Sequence, residues 1–257
     1  YSSIEHPRTI VYRRTNGELI RTLGETDSEQ IDSLDISIPK IVRFPAADNE
    51  TILNGIITFP VNYEAGKSYP VIVYGYGMPG TQIVWNRWQD GLQQFLAKDG
   101  YIVFSMDSRG MAGRGRDFKN LSYGDMANYL SDDHAAGVKW LIDQGYANPD
   151  KIGAWGWSGG GSFTLNAMTN TKEFKAGISG APVTDWHYYD TKWAEFAMKR
   201  PQDNPEGYKK TSFVKNAKNL HGRLLLIHGT YDDNVHPQNS WHFIDELIKE
   251  NIMFDMM

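Results

Sequence analysis

The segment Ile152-Gly153-Ala154-Trp155-Gly156-Trp157-Ser158-Gly159-Gly160-Gly161 constrains this chain more than any other. It reads as a β-strand, a Gly-x-Ser-x-Gly turn and then a helix over Ser162 to Asn170. A serine on a sharp strand-to-helix turn must adopt a strained backbone, and glycines on both sides let strand and helix approach without clash. The turn lifts Ser158 Oγ clear of the sheet. The helix start beneath it offers unpaired N–H groups to a developing oxyanion. The plain alternative is a glycine-rich loop with an idle serine, and the strand before and helix after argue against it.

Around that turn the chain alternates strand and helix. Pro70 to Tyr74, Tyr101 to Met106, Lys151 to Trp155, Ala176 to Ser179, Arg223 to His228 and Ile252 to Met257 read as strands. Arg87 to Lys98 is amphipathic, with Trp88, Leu92, Phe95 and Leu96 on one face. Asp132 to Gln144, Asp185 to Met198, Gly207 to Asn216 and Gln238 to Glu250 also read as helices. This alternation argues a mostly parallel central sheet with right-handed crossovers and helices on both faces. Lys40 to Phe44 and Ile52 to Phe59 form an alternating strand pair ahead of it. Ile10 to Arg13 and Glu18 to Thr22 flank Asn16-Gly17, a hairpin signal, and Gly24 to Ser33 reads as a polar linker. Residues 1–35 are thus expected to be a hairpin and linker, and residues 36–257 an α/β domain.

Composition narrows the classes. The 257 residues are 40% hydrophobic and 22% charged, ample for one large α/β core with small additions. A net charge of -5 gives no reason to expect nucleic acid as a partner. With 0 Cys there is no disulfide, thiolate metal site or cysteine nucleophile, and no cofactor or metal is expected. No apolar run approaches the ~20 residues needed to span a bilayer. Composition does not fix the compartment, and the reading leans towards a periplasmic or secreted location over a cytoplasmic one.

A serine nucleophile needs a base and a group to orient it, which in this type of fold follow as Asp or Glu and then His. His228-Gly229-Thr230-Tyr231-Asp232-Asp233-Asn234-Val235-His236 holds the position of the acid, just past a strand end. Adjacent residues point in different directions, so at most one of Asp232 and Asp233 faces an imidazole; a turn or capping role is open to both. Only His236 and His242 follow Asp232. His236 is too close along the chain to be the base, and His242 falls within an amphipathic helix. The base is therefore expected within roughly ten residues beyond Met257, in the loop after the last strand. An oxyanion hole needs two donors. One is the backbone N–H of Gly159. The other comes from Gly75-Tyr76-Gly77-Met78-Pro79-Gly80, which could present a backbone N–H or the Tyr76 hydroxyl.

Together these residues resemble the catalytic domain of the prolyl oligopeptidase family, in particular its dipeptidyl peptidase IV branch. The resemblance rests on Gly156-Trp157-Ser158-x-Gly-Gly, on Ala181-Pro182-Val183 with Trp186-x-Tyr188-Tyr189-Asp190, and on Leu226-Ile227-His228-Gly229-Thr230-x-Asp232-Asp233-Asn234-Val235-His236. It runs from about Tyr69 to Met257. It implies an α/β-hydrolase fold, with the N-terminal hairpin as the end of a β-propeller and the catalytic domain cut before its histidine. Ser158 is then the nucleophile, Asp232 the triad acid, and Tyr76 the hydroxyl donor to the oxyanion. Val183, Trp186, Tyr189 and Val235 line the pocket for the residue before the scissile bond, and Asn234 binds a substrate carbonyl.

The chain departs from that pattern in two places: Gly159 stands where a tyrosine is usual, and Trp193 where a second pocket tyrosine is expected. The implied activity is a serine peptidase releasing N-terminal dipeptides after proline or alanine through an acyl-enzyme. The implied partners are a peptide substrate and a second copy in a homodimer. A carboxylesterase, whose machinery is the same, and a catalytically dead interaction scaffold are the alternatives.

Overall fold

The computed structural model describes residues 1–27, 29, 31, 33–89 and 91–257. A two-stranded antiparallel hairpin, β1 (Thr9–Arg13) and β2 (Leu19–Glu25), stands apart from the main sheet. The second strand runs into the segment read as linker, of which Ser28, Gln30 and Asp32 lie outside the described residues. The N-terminal segment is tied to the body by Ile4, which packs with Ile56 and Val84 and whose N–H donates to Asn86 Oδ1 at 2.9 Å.

Eight strands form the central sheet: β3 (Lys40–Pro45), β4 (Ile52–Thr58), β5 (Tyr69–Tyr74), β6 (Ile102–Asp107), β7 (Ala147–Trp157), β8 (Ala176–Gly180), β9 (Arg223–Ile227) and β10 (Asp255–Met256). Their order is β10-β9-β8-β7-β5-β6-β4-β3. β3 and β4 are antiparallel, and β6 through β10 run parallel with β5. This is the α/β-hydrolase architecture. Every residue of β6 is buried, which is why Ile-Val-Phe-Ser-Met reads as a continuous apolar run rather than an alternation.

The helices are α1 (Leu92–Lys98), α2 (Arg116–Asn120), α3 (Leu130–Asp143), α4 (Gly159–Asn170), α5 (Thr191–Met198), α6 (Pro205–Lys210), α7 (Phe213–Asn216) and α8 (Gln238–Lys249). Three expectations change. Helix α1 begins at Leu92, after Gly91 at φ 72; Asp90 lies outside the described residues. Its inward residue is Ala97, while Leu92 and Phe95 face solvent at 45% and 66% exposure. The small alanine lets the helix lie close to β6 and β4, which a face of large side chains would prevent. The helix expected over Asp185–Met198 is broken: a 3-10 turn over Trp186–Tyr188 precedes α5, and Asp190 restarts the helix by accepting from the Trp193 N–H. Likewise Ser212 caps a new helix, α7, so that 207–216 is two helices.

A buried ion pair locks the sheet at the carboxyl end of β6. Arg109, just past β6, donates from Nη2 to Asp133 Oδ1 at 2.7 Å and from Nη1 to Asp48 Oδ2 at 2.6 Å. Its guanidinium also lies 4.1 Å from the Tyr129 ring centroid. Asp133 is fully buried in α3 and accepts the Arg109 backbone N–H as well. The network joins the β3–β4 turn, the loop after β6 and α3. Removing one partner of such a pair leaves a buried uncompensated charge. Asp133→Ala is expected to lower the unfolding free energy by about 3–5 kcal/mol. Urea unfolding checks this, and an unshifted midpoint at constant slope would mean that the pair contributes nothing.

Candidate active site

Strands β5, β7, β8 and β9 are parallel neighbours, so their carboxyl ends open on one edge of the sheet. Ligand sites of open parallel sheets form on that edge. The ends lie nearly level, with Trp157 beside Gly180 and Gly180 beside Ile227. The loop at 75–80 leaves β5, Ser158 leaves β7, 181–189 leaves β8 and 228–236 leaves β9. The topology therefore gathers all ten expected site residues on one edge or in the helix that follows it.

Ser158 sits at the N-cap of α4 with φ 58 and ψ -119, a conformation disfavoured for a side chain. Its N–H donates to Gly180 O at 2.8 Å, and its carbonyl accepts the Ser162 N–H at 3.1 Å. The turn holds because helix and strands approach at van der Waals limits. A Cβ on Gly156 would lie 2.5 Å from Gly160 O, and one on Gly160 2.5 Å from Gly75 O. Helix α4 starts at Gly159, three residues earlier than the side-chain pattern suggests, because glycines make up its first turn. No side chain caps that end, which leaves the Gly159 N–H unclaimed by one.

Tyr76 reaches the same spot. Its ring carbons Cε1 and Cζ lie 2.9 and 3.2 Å from a Cβ built on Gly159, which brings the phenol to the helix start. Its hydroxyl has no hydrogen-bond partner among the described residues.

In the segment after β8 and the first turn of α5, three aromatic rings pack on one another. Trp186 is T-shaped to Tyr189 at 6.2 Å and tilted on Trp193 at 5.4 Å, and Tyr189 meets Trp193 edge-on at 5.7 Å. Val183 and Val235 are buried beside this cluster in the same core. The Tyr189 hydroxyl donates to Asn234 Oδ1 at 3.2 Å, and burial raises the pKa of this phenol. Trp193 thus joins this aromatic cluster as a tilted indole.

Asp232 is half-buried and Asp233 exposed. Asp232 Oδ1 accepts from the N–H groups of Asn234 and Val235 at 3.1 and 3.0 Å, which aims the carboxylate. Its Oδ2 accepts no hydrogen bond among the described residues. The neighbouring His228 Nε2 lies 3.6 Å away, yet donates to Val235 O at 2.7 Å while Nδ1 accepts from Ser240 Oγ at 2.6 Å. That imidazole is a structural strut between the loop and α8. His236 is exposed, and His242 stacks on Tyr188 at 4.7 Å. No imidazole among the described residues hydrogen-bonds Ser158 or Asp232.

Sequence patterning missed the residues that hold the loops together. Ser162 Oγ donates to Val183 O at 2.8 Å and accepts the Val183 N–H at 3.1 Å. Asn239 Oδ1 accepts the Thr184 N–H at 3.0 Å, and Asn239 Nδ2 donates to Tyr188 O at 3.3 Å and His236 O at 3.2 Å. It pins the pocket segment to the loop that carries Asp232. The available signal was a pair of polar residues on the inward faces of α4 and α8.

The backbone at Ser158 generates an expectation about stability. A side chain held in this region costs about 1–3 kcal/mol, which glycine avoids at some loss of chain entropy. Ser158→Gly should therefore raise the unfolding free energy by about 1 kcal/mol. Thermal unfolding measures this, and a destabilised variant would place the strain elsewhere.

Residues 88–257 match the sequence profile of the prolyl oligopeptidase family. A probable dipeptidyl-aminopeptidase B of Paracoccidioides brasiliensis is 39% identical over 199 residues, covering 75% of this chain and 22% of that protein. One from Phaeosphaeria nodorum is 36% identical over 199 residues, covering 76% and 22%. The chain thus spans about a fifth of the length of these curated relatives. Among solved structures, Porphyromonas gingivalis dipeptidyl peptidase 4 superposes with a TM-score of 0.96 at 34% identity, covering 100% of this chain and 37% of the other. A putative dipeptidyl aminopeptidase IV of Bacteroides ovatus gives 0.93 at 34% identity, with 100% and 37% covered.

Proposed function

Because the chain belongs to the prolyl oligopeptidase family, we propose that it forms the catalytic portion of a serine peptidase that releases N-terminal dipeptides after proline or alanine. The observation that carries this reading is the seating of Ser158 at a strained, uncapped helix start whose first residue packs against the Tyr76 ring, on the sheet edge from which the aromatic cluster of Trp186, Tyr189 and Trp193 also rises. The relatives' names support the dipeptidyl step.

In this reading Ser158 Oγ attacks the carbonyl of the residue whose side chain fills the aromatic pocket. The carbonyl oxygen takes the negative charge. It moves into the space served by the Gly159 N–H and the Tyr76 hydroxyl, donors fixed in advance and paid for by folding. Collapse of the tetrahedral intermediate expels the amine and leaves an acyl-enzyme, which water then opens. A neutral serine is a weak nucleophile, so an imidazole must take its proton. Asp232 Oδ2 is open to orient that imidazole and to stabilise it when charged. All seven histidines of the chain are described, and those outside the site are held elsewhere too. His134 is buried against Leu130 O, His187 is paired with Asp185 and His221 with Phe174 O, while His6 lies exposed near the N-terminus. The proposed base is therefore a histidine outside these 257 residues.

The pocket suits a small apolar residue. Its proposed lining is valine, tyrosine and indole. Asn234 spends Oδ1 on Tyr189, which leaves its amide N–H groups for a substrate carbonyl.

Two experiments on the full natural protein test the reading. A fluorophosphonate is expected to label wild type and not Ser158→Ala; equal labelling of both removes Ser158 as nucleophile. Tyr76→Phe is expected to lower kcat on a prolyl dipeptide amide by about 10²–10³-fold with little change in KM. Wild-type kcat in that variant would reduce Tyr76 to packing. Hydrolysis of a simple aryl ester but not of the amide would instead make the protein an esterase.

A further inference from the structure

Gly159 has no side chain, yet the space beside it is full. A Cβ placed there would overlap Met78 Cγ and crowd the Tyr76 ring, with Cε1 at 2.9 Å. Met78 and Tyr76 thus abut the same point above the first residue of α4. Met78 is 3% exposed, although it belongs to a loop on the rim of the sheet. Its carbonyl accepts both the N–H and the hydroxyl of Thr81, at 3.2 and 2.5 Å. On the other side Gly77, at φ 77, passes so close to Leu130 that a Cβ would overlap its Cδ1. The loop is therefore clamped between α3 and α4, and the Met78 side chain is the part of it that meets Gly159.

Tyr76 needs such support. Its ring is half-buried, and its hydroxyl has no partner among the described residues to hold it. A phenol turns about two side-chain bonds, and only packing keeps it over the helix start. Methionine suits this contact, because a thioether fills irregular space and packs well against an aromatic ring.

We propose that Met78 is a positioning residue for the oxyanion hole: seated on the bare Cα of Gly159, it holds the Tyr76 hydroxyl beside the Gly159 N–H. Gly159 and Met78 then work as a pair. The missing side chain at 159 makes room for the methionine, and the methionine replaces the packing that a side chain at 159 would give. This rests on the serine-hydrolase reading, since a hole is needed only where an oxyanion forms.

The test is a double-mutant cycle in the full natural protein, with a prolyl dipeptide amide and an aryl ester as substrates. Met78→Ala is expected to lower kcat by about 10–100-fold at nearly constant KM, the effect of a misplaced donor rather than a lost one. Met78→Leu should stay within a few-fold of wild type. In a Tyr76→Phe background Met78→Ala should change kcat by less than about 3-fold, because the donor it positions is already gone. Gly159→Ala, which pushes on the methionine without opening a cavity, should show the same dependence on Tyr76 and keeps the test decisive if Met78→Ala unfolds. A Met78→Ala variant with wild-type kcat, or one equally impaired with and without the Tyr76 hydroxyl, overturns the inference while the hydrolase reading stands. A wild-type protein inert on both substrates overturns the hydrolase reading, and the role of Met78 falls with it.

Discussion

The structure depends on how closely the start of α4 lies against the strand ends beneath it. The backbone of Gly160 touches that of Gly75 and Gly156, and Ser158 donates to Gly180 at 2.8 Å. Three neighbouring strands are thereby joined to one helix end through backbone alone. A single methyl group at Gly156 or Gly160 would force the helix off the sheet. Ser158 takes up the strain of this contact in its own φ, and its side chain is left where sheet, helix and loops converge.

The other features of the site are arranged about that contact. With β7 between β5 and β8, the loop that carries Tyr76 leaves the strand on one side of the serine's and the 181–189 segment the strand on the other. That segment continues not as one helix but as a 3-10 turn and a capped helix, and the break at Tyr189 lets three rings meet. Buried polar struts fix these pieces: Ser162 to Val183, Asn239 to Thr184 and Tyr188, and His228 between Ser240 and Val235. The carboxyl end of β6, on the same edge of the sheet, is held by Arg109 with Asp133 and Asp48.

Much of the fold could be read from side-chain order. Strands β3 to β9 fall within a residue or two of their expected positions, except that β7 begins earlier, because buried strands must be apolar and short and Gly and Pro mark their ends. What misled was the apolar face of α1, where Leu92 and Phe95 face solvent and Ala97 faces the core. Periodicity reports that a helix has an apolar stripe, and it does not report which neighbour the stripe meets. The helix expected over 185–198 failed for a related reason, since Asp190 as a helix interrupter looks the same in sequence as Asp190 on a helix surface.

By itself the sequence determined the nucleophile turn with Ser158 and the alternation of strand and helix, because each is written locally as a motif or a spacing; the choice of Asp232 over Asp233 and of the Tyr76 hydroxyl came from the family resemblance. Tertiary structure alone decided which groups share the site. It left Asp233 exposed and aimed Asp232 through two backbone N–H groups. It committed His228 Nε2 to the Val235 carbonyl rather than to Asp232, and it set Met78 and Tyr76 together over a glycine that sequence alone marks only as a missing side chain. The Asp232 and His228 bonds are made within one loop, whose turns residue order does not display. The meeting of Met78 and Tyr76 over Gly159 joins segments about 80 residues apart, and contact at that range follows from strand order and close packing, which no local pattern encodes.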